Sequence, residues 1–560
     1  MLPSSSSSSS SEKNERQKES EMSKEQGQVE SQEGKQRGDH GFNEQTHYVP
    51  VRTIVTVFLS CSTVDFVALM DQTTLAVALV TISADLQAGA NASWISSAYF
   101  LTSTSFQLLY GRLSDILGRK VCLLSGLFVF FVGSLASSLA PNAISLIVFR
   151  AICGIGGGGL MSIAQIIVGD VVPLRERGKY QGILGAVVAI ANGIGPLVGG
   201  ALASSGHGSW RNIFRLNLPL SFLCAISVIL FMPLRPVEGS WKAKVKAIDY
   251  IGAILTLGAT TAIILGLTWA GADYSWASSH VLAPLLVGIA TLAAFIAWEW
   301  KGAKVPLVPL HIFKNKMVWG ACITMTINGW LFLSQTYYIP QLYQLAYGYG
   351  NIKAGALLLP LTVAQTFMST LSGLVIKWTG RFRECILFGW AMWAIGLGLF
   401  STLNESSNVG KQVGYAILTG VGVGFTLQPA LVAIQSAVDR KTMAVVTSTR
   451  NFVRNLGGSV GLALSGTIIL NTVRSTLKGT LDDSLIRAKI EDPTSQSLST
   501  EQNEAFRRAY QHGFRNVFLV LASLAAFAFA VAFVLMPQRT VDREDDEQQK
   551  KEALERLEKR

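Results

Sequence analysis

Two stretches of sequence decide the fold: Gly111-Arg-Leu-Ser-Asp-Ile-Leu-Gly-Arg-Lys120 and Gly373-Leu-Val-Ile-Lys-Trp-Thr-Gly-Arg-Phe382. Each stretch lies between two long apolar runs, and each places six residues between a glycine and a Gly-Arg pair. One type of hairpin therefore occurs twice in the chain. A hydrophobic chain built from a repeated unit is typical of transporters whose two halves move around a central site.

The composition is that of a membrane protein. The chain has 560 residues, of which 49% are hydrophobic and 15% are charged, whereas about 25% of the residues in a soluble domain carry charge. The apolar residues lie in blocks of about 20, which is the length that spans a bilayer core. Fourteen such blocks predict an all-α integral membrane protein with 14 transmembrane helices.

The repeat divides these predicted helices into two groups of six. Glycine clusters in the fourth and fifth predicted helices recur in the twelfth and thirteenth. Two six-helix bundles with two helices inserted between them explain this offset. The predicted parts are a disordered cytoplasmic tail at 1–49, an N-terminal bundle at 50–233, the inserted helices at 249–299, a C-terminal bundle at 317–537 with an extracytoplasmic loop at 472–513, and a cytoplasmic tail at 538–560.

The net charge of +11 is explained by topology. Lysines and arginines concentrate in alternate loops, beginning with the loop that contains residues 111–120. Loops rich in these residues face the cytoplasm, and an even number of helices then places both termini there. We therefore predict a lipid bilayer around the protein and no nucleic-acid partner.

Charged residues inside a membrane are costly and mark candidate functional sites. The first predicted helix contains Asp65 and Asp71, which a helix places about 120° apart in direction and about 9 Å apart along its axis. A carboxyl group facing a central cleft could bind a proton at one side of the membrane and release it at the other. The alternative for Asp65 is a structural aspartate that is hydrogen-bonded to another helix.

Three arginines also fall within predicted membrane helices. Arg150 has no charged neighbour in sequence and requires a carboxylate or carbonyl partner; Asp71 is a plausible one, and a purely structural ion pair is the alternative. Arg450 and Arg454 share one helix face at i and i+4. They either extend to the membrane interface or contact an anionic cargo.

Several buried amides are candidates to line a central cavity, because a large apolar cavity with few polar groups suits amphiphilic organic molecules. Each amide alone is also suited to joining two helices by a hydrogen bond. The candidates are Gln107, Asn217, Gln335, Gln365 and Gln428.

The chain resembles the major facilitator superfamily from about residue 54 to 537, and within it the fungal form of the 14-helix drug:proton antiporters. The matching stretches are Leu69-Met-Asp-Gln-Thr-Thr74, Gly111–Lys120, Arg150-Ala-Ile-Cys-Gly-Ile-Gly156, Gly195-Pro-Leu-Val-Gly-Gly200, Trp210-Arg-Asn-Ile-Phe214 and Asn217-Leu-Pro219. The resemblance implies the major facilitator fold of two six-helix bundles, here with two inserted helices.

The resemblance also implies roles for individual residues. Asp71 matches the family's helix-1 aspartate, which couples transport to protons or binds cationic substrates, and Arg150 matches a residue of the coupling machinery; Asp65 departs from the pattern. The first hairpin acts as a conformational latch that holds the two bundles together, through Gly111, Asp115, Gly118 and Arg119. Lys377 replaces the aspartate in the second copy, so the latch is not symmetric. The motif associated with exporters comprises Gly195, Pro196, Gly199 and Gly200.

These features predict a proton-coupled exporter of small amphiphilic organic compounds, such as a secondary metabolite, toxin, glycolipid or drug. The proton gradient supplies the energy with no cofactor and no metal. We expect a monomer in the plasma membrane, or alternatively the vacuolar membrane, and formal glycosylation sites lie at Asn91 and Asn404. An uptake or vacuolar transporter for basic amino acids or siderophores is the alternative. A membrane-embedded enzyme is disfavoured, because the six histidines form no catalytic or metal-binding pattern.

Overall fold

Helices make up most of the chain that the structure, a computed structural model, describes. The described residues are 51–88, 92–172, 174–203, 208–232, 241–246, 248–270, 274–303, 306–404, 407–439, 442–478, 481–482, 485–486 and 499–540. No strand occurs among them. The predicted tails lie outside these residues, except for the first residues of the C-terminal one.

Fourteen helices of 19 to 36 residues occur in the described part of the chain. They are α1 (Val51–Asp85), α2 (Ala92–Leu117), α3 (Arg119–Ser138), α4 (Ala143–Val171), α5 (Leu174–Ala203), α6 (Arg211–Phe231), α7 (Tyr250–Trp269), α8 (Ser279–Lys301), α9 (Lys316–Gln341), α10 (Leu359–Thr379), α11 (Phe382–Phe400), α12 (Val409–Ser436), α13 (Met443–Leu477) and α14 (Thr500–Leu535). Shorter helical segments lie at Trp241–Lys246, Leu310–Lys314, Leu342–Ala346 and Asn351–Ala356.

Twelve helices of the described chain are long and apolar enough to cross a membrane. Of the other two long helices, α2 carries more polar residues along its length, and many side chains of α5 lie outside the described placement. The protein is therefore an all-helical, multi-pass integral membrane protein, as predicted. The number of 14 crossings stays a prediction.

Buried apolar side chains form two large clusters. One cluster draws on α1–α6, which we call the N-terminal half. The other draws mainly on α9–α14, which we call the C-terminal half. The inserted helix α7 packs against α2 and α13, where Thr260 donates a hydrogen bond to the Ser105 hydroxyl at 2.7 Å. The inserted helices thus lie over a contact between the two halves.

Glycines set the spacing of the helices in the N-terminal half. In α4, Gly154 and Gly158 face the backbone of α2, whereas Gly156 faces α3. A Cβ atom on Gly156 would lie 2.5 Å from the Phe130 nitrogen and 2.6 Å from the Gly126 oxygen. Glycine is therefore required at Gly156, because two helix backbones approach each other there without an intervening side chain.

The same arrangement recurs in the C-terminal half. In α12, Gly420 and Gly424 face α10, whereas Gly422 faces the backbone of α11 at Trp393. The helices α10, α11 and α12 thus repeat the packing of α2, α3 and α4. The glycine clusters therefore mark a structural repeat, with each helix in the second copy eight positions after its counterpart.

Helices extend into both ends of the predicted extracytoplasmic loop at 472–513, whose side of the membrane stays a prediction. Helix α13 continues to Leu477, and α14 already begins at Thr500. The start of α14 is amphipathic: Phe506, Ala509 and Tyr510 are buried, which is the spacing of one helix face. The Ser499 side chain accepts a hydrogen bond from the Gln502 backbone in a capping box. The many polar residues of this segment made it look like a loop, although its apolar residues have helical spacing.

We expect Gly156→Ala to lower the free energy of unfolding by about 1–3 kcal/mol, because the added methyl group overpacks the contact between α3 and α4. Thermal unfolding of the purified protein in detergent measures the effect. Gly414→Ala is the matched control, since no atom lies within 4 Å of a Cβ at that helical position. Equal midpoints for the two variants would contradict this account of the packing.

Candidate functional site

A buried ion pair joins three helices of the N-terminal half. Asp71 of α1 is 0% exposed and Arg150 of α4 is 1% exposed. The Nη1 atom of Arg150 donates to Asp71 Oδ2 at 2.7 Å, and the Asn217 side chain of α6 donates to Asp71 Oδ1 at 2.7 Å. The predicted contact between Asp71 and Arg150 is thus present. Asn217, a predicted cavity residue, instead holds the carboxylate.

Aromatic rings enclose the guanidinium group of this pair. Its carbon lies 4.5 Å from the ring centre of Tyr99 and 5.6 Å from that of Phe214. Rings at these distances stabilise a cation when water is excluded. The charges of Arg150 and Asp71 therefore balance each other inside an apolar shell, and removal of either one leaves the other without compensation.

The second acid of α1 has a different environment. Asp65 is 4% exposed, and its Oδ1 atom is buried with no hydrogen-bond partner among the described residues. The structural alternative, in which Asp65 is hydrogen-bonded to another helix, is therefore wrong for this conformation. One helix thus carries a fully paired acid and an unpaired one.

The first hairpin holds a buried network. Gly118 joins α2 to α3 with a φ of 103°, a conformation that favours glycine. Arg119 donates from Nε to Asp170 Oδ2 at 2.8 Å, and its Nη1 lies 2.6 Å from Asp115 Oδ1. The predicted latch residues Asp115 and Arg119 are therefore in contact with each other and with the end of α4.

The second hairpin shows an exposed ion pair. Gly380 repeats the left-handed conformation with a φ of 69°. The neighbouring ion pair, Arg381 with Glu384, has a separation of 3.5 Å, and both side chains are more than 60% exposed. The backbone turn is therefore repeated, whereas this ion pair is exposed and those of Arg119 are buried.

The two halves meet near the end of the helices at which α2 joins α3, which we call the hairpin end. The predicted latch residue Gly111 contacts the Ser448 side chain of α13 so closely that a Cβ atom would clash. Further along, the Asn451 amide donates to Gln165 of α4 at 3.0 Å. Asn455 donates to Gln107 of α2, also at 3.0 Å. These contacts close the space between the halves at the hairpin end.

Three of these amides were not among the predicted site residues: Gln165, Asn451 and Asn455. Each is a strongly polar side chain inside an apolar segment, and the same criterion that singled out the charged residues would have identified it. Their partner Gln107 was predicted to line a cavity, and it instead bridges the halves.

The two arginines of α13 lie inside the helix bundle. Arg450 is 2% exposed and donates to the Leu427 carbonyl of α12 at 2.7 Å and to Asn451 Oδ1 at 2.9 Å. Arg454 donates from Nε to Asn328 Oδ1 of α9 at 2.8 Å. The alternative in which these side chains extend to the membrane interface is therefore wrong.

The remaining cavity candidates lie in the C-terminal half. Gln335 is fully buried and accepts a hydrogen bond from Trp393 Nε1 at 2.9 Å, so it joins α9 to α11. Gln428 is buried and lies close to Gly185 of α5. Gln365 is partly buried on α10. Gln428 thus lies at a contact with the opposite half.

The predicted exporter motif packs α5 against α1. A Cβ atom on Gly195 would clash with the Thr73 side chain, and one on Gly199 would clash with the backbone of Thr74. These contacts lie directly after Asp71 on α1. The side chain of Pro196 and the position of Gly200 within the motif lie outside the residues whose placement is described.

Of the two formal glycosylation sites, the described residues include Asn404 but not Asn91. Asn91 lies outside the described residues. Asn404 is exposed in the turn that follows α11. Glycosylation of either asparagine stays a prediction.

Two repeated halves, apolar helices and a buried ion pair within one half are the features of a multi-pass membrane transporter. The chain belongs to the Major Facilitator Superfamily, whose family model matches residues 62–462. The protein is therefore a transporter and not an enzyme, and small molecules are its substrates.

Several fungal exporters are similar to this chain. It is 33% identical to "Citrate exporter 1" of Yarrowia lipolytica over 515 residues, which cover 91% of this chain and 76% of that protein. It is 32% identical to "Efflux pump dotC" of Dothistroma septosporum over 504 residues, which cover 88% of this chain and 86% of the pump. The resemblance to fungal transporters of the efflux type is thus confirmed.

Solved structures of the same superfamily share the fold. The proton:xylose symporter XylE matches with a TM-score of 0.55 and 12% identity, over 87% of this chain and 97% of the symporter. The human organic anion transporter MFSD10 matches with a TM-score of 0.56 and 13% identity, over 85% of this chain and 99% of that one. At these identities the likeness concerns the fold alone.

We expect Asp71→Asn to destabilise the protein by about 3–5 kcal/mol, because it leaves the Arg150 charge buried without a counter-charge. Glu504→Gln is the control, since it breaks an exposed ion pair with Arg508 that is worth about 0–1 kcal/mol. Thermal unfolding in the same detergent compares them. Similar losses for both variants would show that the buried pair contributes no more than a surface one.

Proposed function

We propose that this protein exports small amphiphilic organic molecules in exchange for protons. The observation that supports the proposal is the buried cluster of Asp71, Arg150 and Asn217, in which a carboxyl group lies between three helices of one half. The names of the similar fungal proteins support export over uptake. The helix-5 motif, which packs Gly195 and Gly199 against α1, also favours export.

Proton binding at Asp71 would change the structure around it. The ionised carboxylate accepts hydrogen bonds from both Arg150 and Asn217. A protonated carboxyl group no longer balances the guanidinium charge, so Arg150 must find another partner or move. Uptake of a proton at Asp71 is thereby linked to a shift of α4 and α6 relative to α1.

Asp65 provides a second position for a proton. An ionised carboxylate without a partner is strongly disfavoured among apolar helices. We therefore propose that Asp65 holds the proton in this conformation, while Asp71 is paired with Arg150. A cycle in which the two acids exchange their states uses both residues of α1 and needs no cofactor.

The contacts at the hairpin end define the conformation. If this end faces the cytoplasm, as the basic loops predict, the structure represents a state closed to the cytoplasm. Export then requires Gln107 and Gln165 to separate from the asparagines of α13, so that cargo can enter from inside. The two halves rock about the central contact, as in other transporters built from repeats.

The proposed location is the plasma membrane, with both termini in the cytoplasm and the protein acting as a monomer. The vacuolar membrane is the alternative location. Uptake of basic amino acids or siderophores is the less supported function, because the similar fungal proteins named here are an exporter and an efflux pump.

We expect Asp71→Asn to abolish gradient-driven export, since an amide cannot release a proton. Untargeted mass spectrometry of the culture medium compares cells with the wild-type protein, the variant and the empty vector. Addition of a protonophore should abolish the wild-type signal as well. Glu504→Gln is the control that should export normally, and undiminished export by Asp71→Asn would remove this residue from the mechanism.

Asp65→Asn tests the second acid. We expect export by this variant to lose its dependence on the pH gradient, because the amide mimics the neutral acid at every pH. The same comparison of media at external pH 5 and pH 7 measures the effect. A pH dependence equal to that of the wild type would restrict proton binding to Asp71.

A reducible cross-link across the hairpin end should stop transport. The amide groups of Gln165 and Asn451 are 3.0 Å apart, and cysteine side chains are shorter, so we expect the pair Gln165→Cys and Asn451→Cys to be joined by a short bis-methanethiosulfonate reagent rather than by a direct disulfide. Export should then fall to the vector level and recover after reduction. Each single variant is a control, and full export by the cross-linked protein would contradict the rocking of the halves.

A further inference from the structure

The buried arginines of the two halves differ in their partners. In the N-terminal half, Arg119 and Arg150 each contact a carboxylate. In the C-terminal half, neither Arg450 nor Arg454 has an acidic partner in the part of the chain that the structure describes. A buried cation without a counter-charge carries a large free-energy cost. The C-terminal half therefore holds positive charge that an added anion would neutralise.

The two guanidinium groups still have donors to offer. Arg450 is anchored through its Nη atoms, and its Nε atom is buried without a partner. Arg454 is anchored through Nε to Asn328, and its two Nη groups make no hydrogen bond to described residues. The residues are one helical turn apart on the same face of α13. Residues at this spacing have Cβ atoms about 5–6 Å apart, a separation that one ligand can span.

The surroundings favour an organic ligand. The guanidinium carbon of Arg454 lies 4.9 Å from the ring centre of Phe332, which holds the plane of the group and offers an apolar surface. Arg454 is only partly buried, so a ligand can reach it. A planar carboxylate matches the fork of a guanidinium and forms two parallel hydrogen bonds with it.

We propose that Arg450 and Arg454 bind the carboxylate of an organic acid, so that the molecule exported is an organic anion. This inference rests on the proposed export function and names the chemical class of its cargo. Two uncompensated positive charges repel organic cations, which excludes basic amino acids from this position.

The same residues connect the site to the opposite half. Arg450 donates to Asn451, and Asn451 donates in turn to Gln165 of α4. A carboxylate that attracts the Arg450 guanidinium weakens the hydrogen bond from Arg450 to Asn451. Binding of the anion is thereby coupled to the contact that closes the hairpin end.

Comparison of culture media by untargeted mass spectrometry tests the inference. Molecules that depend on the wild-type protein for release are expected to carry a carboxyl group. Their release should fall at least about tenfold in both Arg450→Gln and Arg454→Gln, and Arg454→Lys should restore part of it. The control is Arg508→Gln, on an exposed face of α14, which should export normally. Immunoblotting of isolated membranes checks that each variant is present there, and size-exclusion chromatography of the protein purified from them checks that it is folded.

A second measurement uses the purified wild-type protein. The exported acids should raise the thermal unfolding midpoint, whereas their methyl esters should not. Export of neutral or cationic molecules, or undiminished release of acids by folded Arg454→Gln, would overturn the inference while leaving proton-driven export in place. No difference between the wild type and the empty vector would overturn export itself, and the inference with it.

Discussion

A charge buried among membrane helices must be balanced, and this constraint organises the interior of the protein. The pair of Asp71 and Arg150 satisfies it across α1 and α4, with Asn217 of α6 completing the coordination of the carboxylate. Removal of either charge would leave the other uncompensated at a point where three helices meet. The balance of charge and the packing of α1, α4 and α6 therefore depend on each other.

The sequence predicted the fold because its strongest signals are local and repeated. Apolar blocks of bilayer length and two copies of one hairpin suffice to define helices and their order. Contact between Asp71 and Arg150 was predictable for a related reason, since a charged residue in an apolar segment requires a partner and few are available. The glycines of α4 and α12 supported the repeat, although their division between two faces emerged only from the structure.

The failures arose where neighbours in space decide the outcome. The sequence left open whether Arg450 reaches the interface or contacts cargo, and the carbonyl of Leu427 and the amide of Asn451 hold it inside the bundle. Gln107 was predicted to face a cavity, yet its partner is a residue 348 positions away. The first turns of α14 were assigned to a loop because their polar residues outweighed their amphipathic spacing. Composition measures how polar a segment is and says nothing of what it packs against.

The alternating glycines of α4 have a consequence for motion. Where two helix backbones are in direct contact, no side chain lies between them that could change its rotamer. The distance between the two helix axes is therefore fixed. Close backbone contact therefore fixes the spacing of α2, α3 and α4, and it does the same for α10, α11 and α12. Between the halves, amide side chains such as those of Gln107 and Asn455 form hydrogen bonds. A relative movement of the two halves would therefore exchange side-chain hydrogen bonds and leave the glycine contacts within each half in place.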